Sequence, residues 1–165
     1  MLYIEKDNLI IRPMVVSDLF RIKEIRDLCL NFLHDPRSYS FEETLDWFIL
    51  KKPSYLTVYY ENIIVGYFRL SDITRNSCFV GMDLHPNYRG RQIALRTYQY
   101  VMHDLYDIGI NIFYLRVLKS NPHAIRLYSY IGFQEVKDAP KYEIAGRMID
   151  DMLMCYKFTQ NFTFQ

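Results

Sequence analysis

The hydrophobic positions of the chain follow two spacings, one typical of helices and one typical of strands. Apolar side chains that recur every three or four residues predict amphipathic helices, and short apolar runs between turn residues predict strands. The helices are predicted at residues 18–33, 41–52, 93–107 and 122–131. The strands are predicted at residues 9–12, 55–60, 63–70, 78–84, 110–118, 133–136 and 148–158.

Polar residues and glycine mark the ends of these helices. Ser40, with Glu43 three residues later, fits a capping box at the start of the second helix. Asn121 fits an N-cap, Pro122 fits the first helical turn and Gly132 fits the C-terminal stop of the last helix. The mixture of helices and consecutive strands predicts an α/β (α+β) fold around a mostly antiparallel sheet.

Length and charge narrow the class of protein. The 165 residues fit a single domain spanning 1–165, and a hydrophobic fraction of 50% excludes an intrinsically disordered chain. Twenty basic and nineteen acidic side chains leave a net charge of +1, so we expect neither a nucleic-acid nor a membrane partner. No apolar run approaches the roughly 20 residues of a membrane-spanning helix.

The cysteines and the N-terminal residues predict a cytoplasmic protein. Cys29, Cys78 and Cys155 are far apart in sequence, and each lies among apolar neighbours. This pattern is typical of reduced, packed thiols rather than of disulfides, and no metal site is predicted. Residues 1–8 carry charges and lack the apolar core of a secretion signal.

The loop between the strand at 78–84 and the helix at 93–107 is the strongest candidate for chemistry. The first backbone N–H groups of a helix lack intrahelical partners and lie at the positive end of its dipole, where they can bind an anion. Gly90 would let a phosphate approach the backbone, and Arg89 and Arg91 add positive charge. The loop therefore predicts a phosphate or pyrophosphate site. An ordinary turn with two solvated arginines is the alternative.

The same loop resembles the acetyl-CoA motif of the GCN5-related N-acetyltransferase (GNAT) superfamily, Gln/Arg-x-x-Gly-x-Gly/Ala. Arg89, Gln92 and Ala94 occupy its three defined positions, and Gln92 replaces the middle glycine. Residues 121–133 are similar to a second block of the family, Asn-x-x-Ala-x-x-Leu-Tyr-x-x-x-Gly-Phe. Residues 9–13, with Asp18 and Leu19, resemble its first strand and helix.

This resemblance implies a fold and a cosubstrate. The expected sheet splays between the strands at 78–84 and 110–118, its fourth and fifth in predicted order, and about four helices flank it. Acetyl-CoA (coenzyme A) would place its pantetheine arm in the gap and its pyrophosphate on the loop. The implied cofactor-binding residues are Met82, Asp83, Leu84, Arg89, Gly90, Arg91, Gln92, Ile93, Ala94, Asn121, Arg126 and Tyr128.

The resemblance also implies direct attack of a primary amine on the thioester. Tyr128 matches the family's tyrosine and is the candidate acid for the leaving thiolate. The family's early glutamate in the fourth strand is absent, because residues 76–79 contain no carboxylate. Asp83 is the candidate base, through a bound water. A hydrogen-bonded strand residue is an equal alternative for Asp83.

The acceptor pocket is expected between the first two helices and the last hairpin. Residues 40–48 and 146–154 resemble the branch that contains RimJ/RimL-like and sugar-nucleotide N-acetyltransferases. The candidate substrate-binding residues are Arg26, His34, Tyr39 and Trp47. We expect a small-molecule amine as the partner, with an amino sugar favoured, and a monomer or homodimer. The alternatives are a protein N-terminal acetyltransferase, a non-catalytic acyl-CoA-binding module and an interaction protein with an aromatic surface.

Overall fold

The structure is a computed structural model, and it describes residues 2–159. Its four helices are α1 (Leu19–Leu28), α2 (Phe41–Lys51), α3 (Ile93–Asp107) and α4 (Pro122–Ile131). Its first six strands are β1 (Ile4–Lys6), β2 (Leu9–Pro13), β3 (Ser54–Tyr60), β4 (Ile63–Ser71), β5 (Ser77–Leu84) and β6 (Ile112–Leu118). The remaining strands are β7 (Gln134–Glu135), β8 (Tyr142–Ile144), β9 (Arg147–Ile149) and β10 (Asp151–Lys157).

Eight strands form one sheet in the order β1-β2-β3-β4-β5-β6-β10-β7, and β8 with β9 forms a separate hairpin. Every pair in the large sheet is antiparallel except β5 with β6. That parallel pair runs only from Ser77–Phe79 against Ile112–Tyr114, after which the strands separate. The prediction of a mostly antiparallel sheet, splayed between these two strands and flanked by four helices, is confirmed.

The two faces of the sheet bury different sets of side chains. On one face, α3 and α4 pack onto a core that includes Tyr98, Phe113 and Leu115. On the opposite face, α1 buries Leu19 and Ile25 against Tyr67 of β4. We call this second face the acceptor face. Side chains alternate along a strand, so Cys78 and Val80 enter the first core while Asp83 lies on the acceptor face.

Two predicted boundaries are wrong. The first helix was predicted to reach residue 33, but α1 ends at Leu28 because Cys29 leaves helical geometry, with φ −107° and ψ 4°. Residues 30–32 then form a short 3-10 turn in which no residue is buried, so the apolar Leu30 and Phe32 extend the sequence pattern without belonging to the helix. The last predicted strand divides into β9 and β10, and Asp150 lies between them.

An edge strand, three free thiols and the character of the helices complete the description of the fold. Strand β1 pairs with β2 at the edge of the sheet, a pairing that the sequence analysis missed. Cys29, Cys78 and Cys155 are free thiols, as predicted. Within residues 2–159, no helix combines the length and the apolar character needed to cross a bilayer.

Candidate active site

The loop between β5 and α3 presents backbone N–H groups to open space. No hydrogen bond within residues 2–159 uses the N–H groups of residues 90–95, whereas the next one, of Arg96, binds the carbonyl of Gln92. Gly90 has a φ of +76°, and a Cβ added there would meet no atom within 4 Å. The arrangement fits the pyrophosphate of a nucleotide, because successive free N–H groups lie at the start of a 15-residue helix.

Gln92, which replaces the middle glycine of the motif, adopts a left-handed backbone conformation. Its φ is 59° and its ψ is 14°, at the N-cap of α3. Glycine adopts this region freely, whereas an ordinary residue there is strained by contact between its Cβ and the backbone. The glycine-like backbone of the motif is therefore kept, and the Gln92 N–H remains available.

The arginines of the loop are held by neighbouring groups. Arg89 donates to the carbonyl of Leu84 at 3.4 Å and to Sγ of Cys29 at 3.5 Å, so its guanidinium ties the loop to α1. The Arg91 guanidinium lies 5.2 Å from the centre of the Tyr88 ring. Arg89 therefore lies at the wall of the cavity described next, whereas Arg91 packs outside it.

A single cavity of about 1340 Å³ joins the loop to the acceptor face. This exceeds the roughly 300–1,000 Å³ of ordinary small-ligand sites, as expected for a site that holds two substrates. Most predicted site residues line it: Arg26, His34, Tyr39, Trp47, Met82, Asp83, Leu84, Arg89, Gly90, Gln92, Ile93, Ala94, Asn121 and Tyr128. Arg91 and Arg126 do not line it. The contacts of all these residues with coenzyme A stay predictions.

The start of α4 brings two of the predicted residues to the cavity. The Asn121 side chain accepts a hydrogen bond from the N–H of Ala124 at 3.2 Å, which confirms the predicted N-cap. Tyr128, about two turns after Asn121, is 9% exposed. Arg126 points elsewhere and interacts with Nδ1 of His123 at 2.8 Å.

Tyr128 is held protonated by its surroundings. Burial raises the pKa of its phenol, and a hydrogen bond from Tyr98 only partly opposes this effect. The Tyr98 hydroxyl donates to the Tyr128 hydroxyl across 3.3 Å. Tyr128 can therefore give its own proton to a group in the cavity, which is what a general acid requires.

Asp83 forms a buried ion pair that the sequence analysis missed. Its carboxylate, 8% exposed, accepts a hydrogen bond from Arg69 of β4. A Cβ on Gly81 would lie 2.7 Å from the Arg69 guanidinium, so the glycine allows that group to cross β5. Burial acts to lower the pKa of Arg69, but several interactions, of which the Asp83 charge is the largest, together outweigh it and the pKa rises. Asp83 is thus hydrogen-bonded within the sheet, and its role as a base through a bound water stays a prediction.

Aromatic rings form the wall of the acceptor face. Trp47 of α2 lies 5.3 Å from the Tyr55 ring, and Tyr55 stacks on Tyr67 with ring centres 6.2 Å apart. Burial and the nearby Asp83 charge raise the pKa of Tyr67 well above its ordinary value. The wall therefore offers π-faces and neutral hydroxyl groups to an acceptor.

Arg26 and Tyr39 hold the loop that follows α1. Arg26 donates to the carbonyls of Asp35 and Arg37 at 2.9 and 2.6 Å, and its guanidinium lies 4.9 Å from the Tyr39 ring centre. Hydrogen bonds from Arg37 and Tyr39 lower the pKa of Asp35 against the effect of burial. Both predicted residues thus line the cavity while they support the backbone of its wall.

His34 lies in a polar cluster with residues from the far side of the gap. Its Nε2 is 2.9 Å from Oδ2 of Asp151, and Asp151 also accepts from Arg116 at 3.1 Å. The His34 ring meets the Tyr142 ring edge-on at 5.7 Å. Sequence reasoning found His34 but missed its partners, which belong to β10, β6 and β8.

The family comparison agrees with the loop and the cavity. Residues 19–133 match the family described as Acetyltransferase (GNAT) family. The chain belongs to the GNAT acetyltransferase family. GNAT enzymes take their acetyl group from acetyl-CoA, so the prediction of an acetyl-CoA-dependent N-acetyltransferase is confirmed at the level of the family.

Solved structures of GNAT proteins share the fold at low sequence identity. RimL, the ribosomal L7/L12 α-N-protein acetyltransferase solved with coenzyme A, is 16% identical with a TM-score of 0.80 over 94% of this chain and 98% of its own. A spermidine N-acetyltransferase SpeG chimera from Vibrio cholerae and hSSAT is 21% identical with a TM-score of 0.77 over 92% and 96%. The microcin C7 self-immunity acetyltransferase MccE, solved with acetyl-CoA and AMP, is 14% identical with a TM-score of 0.78 over 93% and 94%.

Proposed function

We propose that the protein transfers the acetyl group of acetyl-CoA to the primary amine of a small molecule, with an amino sugar as the favoured acceptor. One observation carries this proposal: the cavity runs without interruption from the free N–H groups beside Gly90 to the aromatic wall at Trp47. A donor held at one end can therefore meet an acceptor held at the other. This continuity is what direct transfer between two bound substrates requires.

The residues present fit acetyl-CoA, which supplies the activated acyl carbon and the thiolate leaving group when bound. The N–H groups of residues 90–94 would hold its pyrophosphate. Three solved structures with the same fold contain a bound CoA ligand, which supports this choice of donor. The edge of β5 from Met82 to Leu84 is unpaired on the β6 side, since the β5–β6 pairing stops at Phe79. That edge would bind the amide groups of pantetheine as an added strand. Tyr128 would protonate the leaving sulfur.

A contact above the acceptor face supports a small acceptor. The loop after α1 and the β8–β9 hairpin meet where His34 packs against Tyr142. The Arg116 guanidinium lies 5.1 Å from the same Tyr142 ring and donates to the carbonyl of Pro140 at 2.9 Å. These contacts join the two segments beside the cavity, which favours a compact amine over an extended polypeptide.

The fold by itself does not choose the acceptor. The similar structures include enzymes named for a ribosomal protein and for spermidine. A protein N-terminus is therefore the second candidate, as the resemblance of residues 40–48 and 146–154 to the RimJ/RimL-like branch also suggests. The cytoplasmic location and the monomeric or homodimeric state stay predictions.

A thiol-release assay with an amine panel tests the proposal. The panel contains glucosamine, spermidine and a short peptide with a free N-terminus, and each is paired with its N-acetylated form as a control that lacks the reactive amine. We expect acetyl-CoA-dependent release with glucosamine and none with N-acetylglucosamine. Release with the peptide alone would transfer the assignment to a protein N-terminal acetyltransferase.

Calorimetry with acetyl-CoA separates the remaining alternatives. Binding without release for any amine would identify a non-catalytic acyl-CoA-binding module. Absence of binding at millimolar acetyl-CoA would overturn the donor assignment itself.

A further inference from the structure

The hydrogen bond between His34 and Asp151 fixes the protonation of the imidazole. Asp151 is 3% exposed in its side chain and accepts from Arg116 through both carboxylate oxygens, at 3.1 and 3.3 Å. Because a carboxylate only accepts, Nε2 of a neutral His34 carries the ring proton. Nδ1 is then the proton-free nitrogen, and no hydrogen bond among residues 2–159 occupies it.

His34 lies across the gap in which the thioester is expected. Helix α1 packs on the β4–β5 side of the gap, where Cys29 at its end is 3.6 Å from the carbonyl oxygen of Leu84. Five residues later, His34 binds Asp151, which pairs with Leu118 of β6 on the other side. The residues between them therefore cross the gap on the acceptor face, and the His34 ring lines the cavity with 22% of its side chain exposed.

We propose that His34 is the base that accepts the proton of the attacking amine, with Asp151 as the positioning residue that holds its tautomer. This inference rests on the proposed function. It fills the role left open by the absent glutamate in residues 76–79 and by the pairing of Asp83 with Arg69.

Every proton in the step is accounted for by the amine, His34, Tyr128 and water. The amine enters neutral, and its lone pair forms the N–C bond to the thioester carbon. The nitrogen then becomes acidic, and Nδ1 of His34 takes one proton from it. The C–S bond breaks, and the Tyr128 hydroxyl gives its proton to the departing sulfur. Water then takes the proton from His34 and restores the one on Tyr128, which leaves amide and thiol as products.

The groups around His34 set the direction of its pH dependence. Burial lowers the pKa of His34 from its ordinary value of 6.5, and the hydrogen bond and charge of Asp151 oppose that shift. The positive charges of Arg69 on β4 and Arg116 on β6 lower it further. The neutral, proton-accepting form therefore predominates at pH 7, and kcat at saturating amine should fall as the pH drops through the lowered pKa of His34.

Two variants separate the base from its positioning partner. His34→Gln keeps a polar side chain of similar size but cannot take a proton. In Asp151→Asn, the single amide oxygen would accept from Arg116, so the NH2 group would face His34. Nε2 would then have to accept, which places the ring proton on Nδ1 and blocks it as a base. His103→Gln is the matched control, since His103 lies on α3 with 57% of its side chain exposed.

The experiment measures pH profiles of kcat at saturating concentrations of whichever panel amine shows release, together with calorimetry of acetyl-CoA binding. We use kcat because kcat/KM would also report the ionisation of the free amine. We expect kcat to fall about 100-fold in His34→Gln, with the acidic limb of the profile lost and acetyl-CoA affinity within about twofold. The kcat of Asp151→Asn should fall by a similar factor while the variant still binds acetyl-CoA. The kcat and the pH profile of His103→Gln should match those of the parent.

Two results would overturn the assignment to His34. One is an unchanged acidic limb in His34→Gln, and the other is a rise in acceptor KM with kcat unchanged, which would make His34 a binding residue only. Failure of every panel amine with the parent enzyme is a different result. It would count against the proposed function and be visible before any variant is made.

Discussion

Tyr98 donates its hydroxyl hydrogen to the Tyr128 hydroxyl oxygen, with 3.3 Å between the two oxygens. The rings meet edge-on with centres 5.5 Å apart, and Tyr98 is fully buried between α3 and the sheet. Tyr98 thus fixes the orientation of the Tyr128 hydroxyl and leaves the proton of Tyr128 free for the cavity. Burial raises the pKa of both phenols, so both stay protonated at neutral pH.

Tyr128→Phe should therefore slow the chemical step without weakening donor binding. We expect kcat to fall by about 100-fold, because the leaving thiolate loses its proton donor. Tyr98→Phe should cost much less, since it removes only the orienting bond. Steady-state kinetics with calorimetry of acetyl-CoA binding measures both effects. Equal kcat in Tyr128→Phe and the parent would exclude Tyr128 as the acid.

Gln92 provides a test of the left-handed position in the β5–α3 loop. Gln92→Gly should be more stable than Gln92→Ala by about 1 kcal/mol, because only glycine takes a positive φ without strain. Urea unfolding of the two variants measures the difference, and each serves as the control for the loss of the glutamine side chain in the other. An alanine variant as stable as the glycine variant would show that this backbone conformation carries no strain.

Ala94→Glu should impair donor binding through charge. Ala94 lines the cavity in the first turn of α3, so a carboxylate there would repel the pyrophosphate and occupy its space. We expect the dissociation constant of acetyl-CoA to rise at least about tenfold, equivalent to about 1.4 kcal/mol. Gln99→Glu, further along α3 and away from the cavity, is the control for added charge. Unchanged affinity in Ala94→Glu would place the pyrophosphate elsewhere.

Asp18 anchors the first helix to the sheet and predicts an acid-sensitive contribution to stability. Its side chain, 3% exposed, accepts from Arg12 at 2.8 and 2.9 Å and from the Thr57 hydroxyl at 2.7 Å. Asp18→Ala should lower the free energy of unfolding by about 3 kcal/mol, because the partly buried Arg12 guanidinium and the buried Thr57 hydroxyl lose their acceptor. Asp27→Ala, which breaks a partly exposed pair with Lys23, should cost less than about 1 kcal/mol.

The pH dependence of this contribution has a defined sign. Burial acts to raise the pKa of Asp18, but the hydrogen bonds from Arg12 and Thr57 outweigh it and lower the pKa below 3.8. The stabilisation should therefore be fully present above that value and disappear as the pH falls through the lowered pKa. Unfolding curves at pH 7 and at pH 3 measure it: the difference between the parent and Asp18→Ala should shrink at the lower pH.

Local signals in the sequence predicted the elements better than their long-range contacts. The Ser40–Glu43 capping box and the Asn121 cap are short-range hydrogen bonds, and both are present. The end of α1 was misjudged because apolar residues continue into the 3-10 turn at 30–32. The apolar pattern alone cannot distinguish the two geometries, since Leu30 and Phe32 are apolar but not buried.

The parts of the site that sequence reasoning missed depend on pairing between strands. Arg69 meets Asp83 because β4 and β5 are antiparallel, with Arg69 opposite Gly81, and a glycine leaves room for the guanidinium. His34 meets Asp151 across 117 positions of sequence. The sequence did contain a signal for the Arg69–Asp83 pair, because the two charged residues occupy the same face of neighbouring antiparallel strands. No local pattern announces the second.

The early end of the β5–β6 pairing leaves two strand edges open in the middle of the sheet, after Phe79 on one side and Tyr114 on the other. Unpaired edges are sites at which chains commonly add strands from other molecules and aggregate. A ligand that lies along β5 would occupy those peptide groups as a substitute strand. Bound acetyl-CoA would then protect the enzyme against aggregation. Protein stored without acetyl-CoA should therefore precipitate sooner than protein saturated with it.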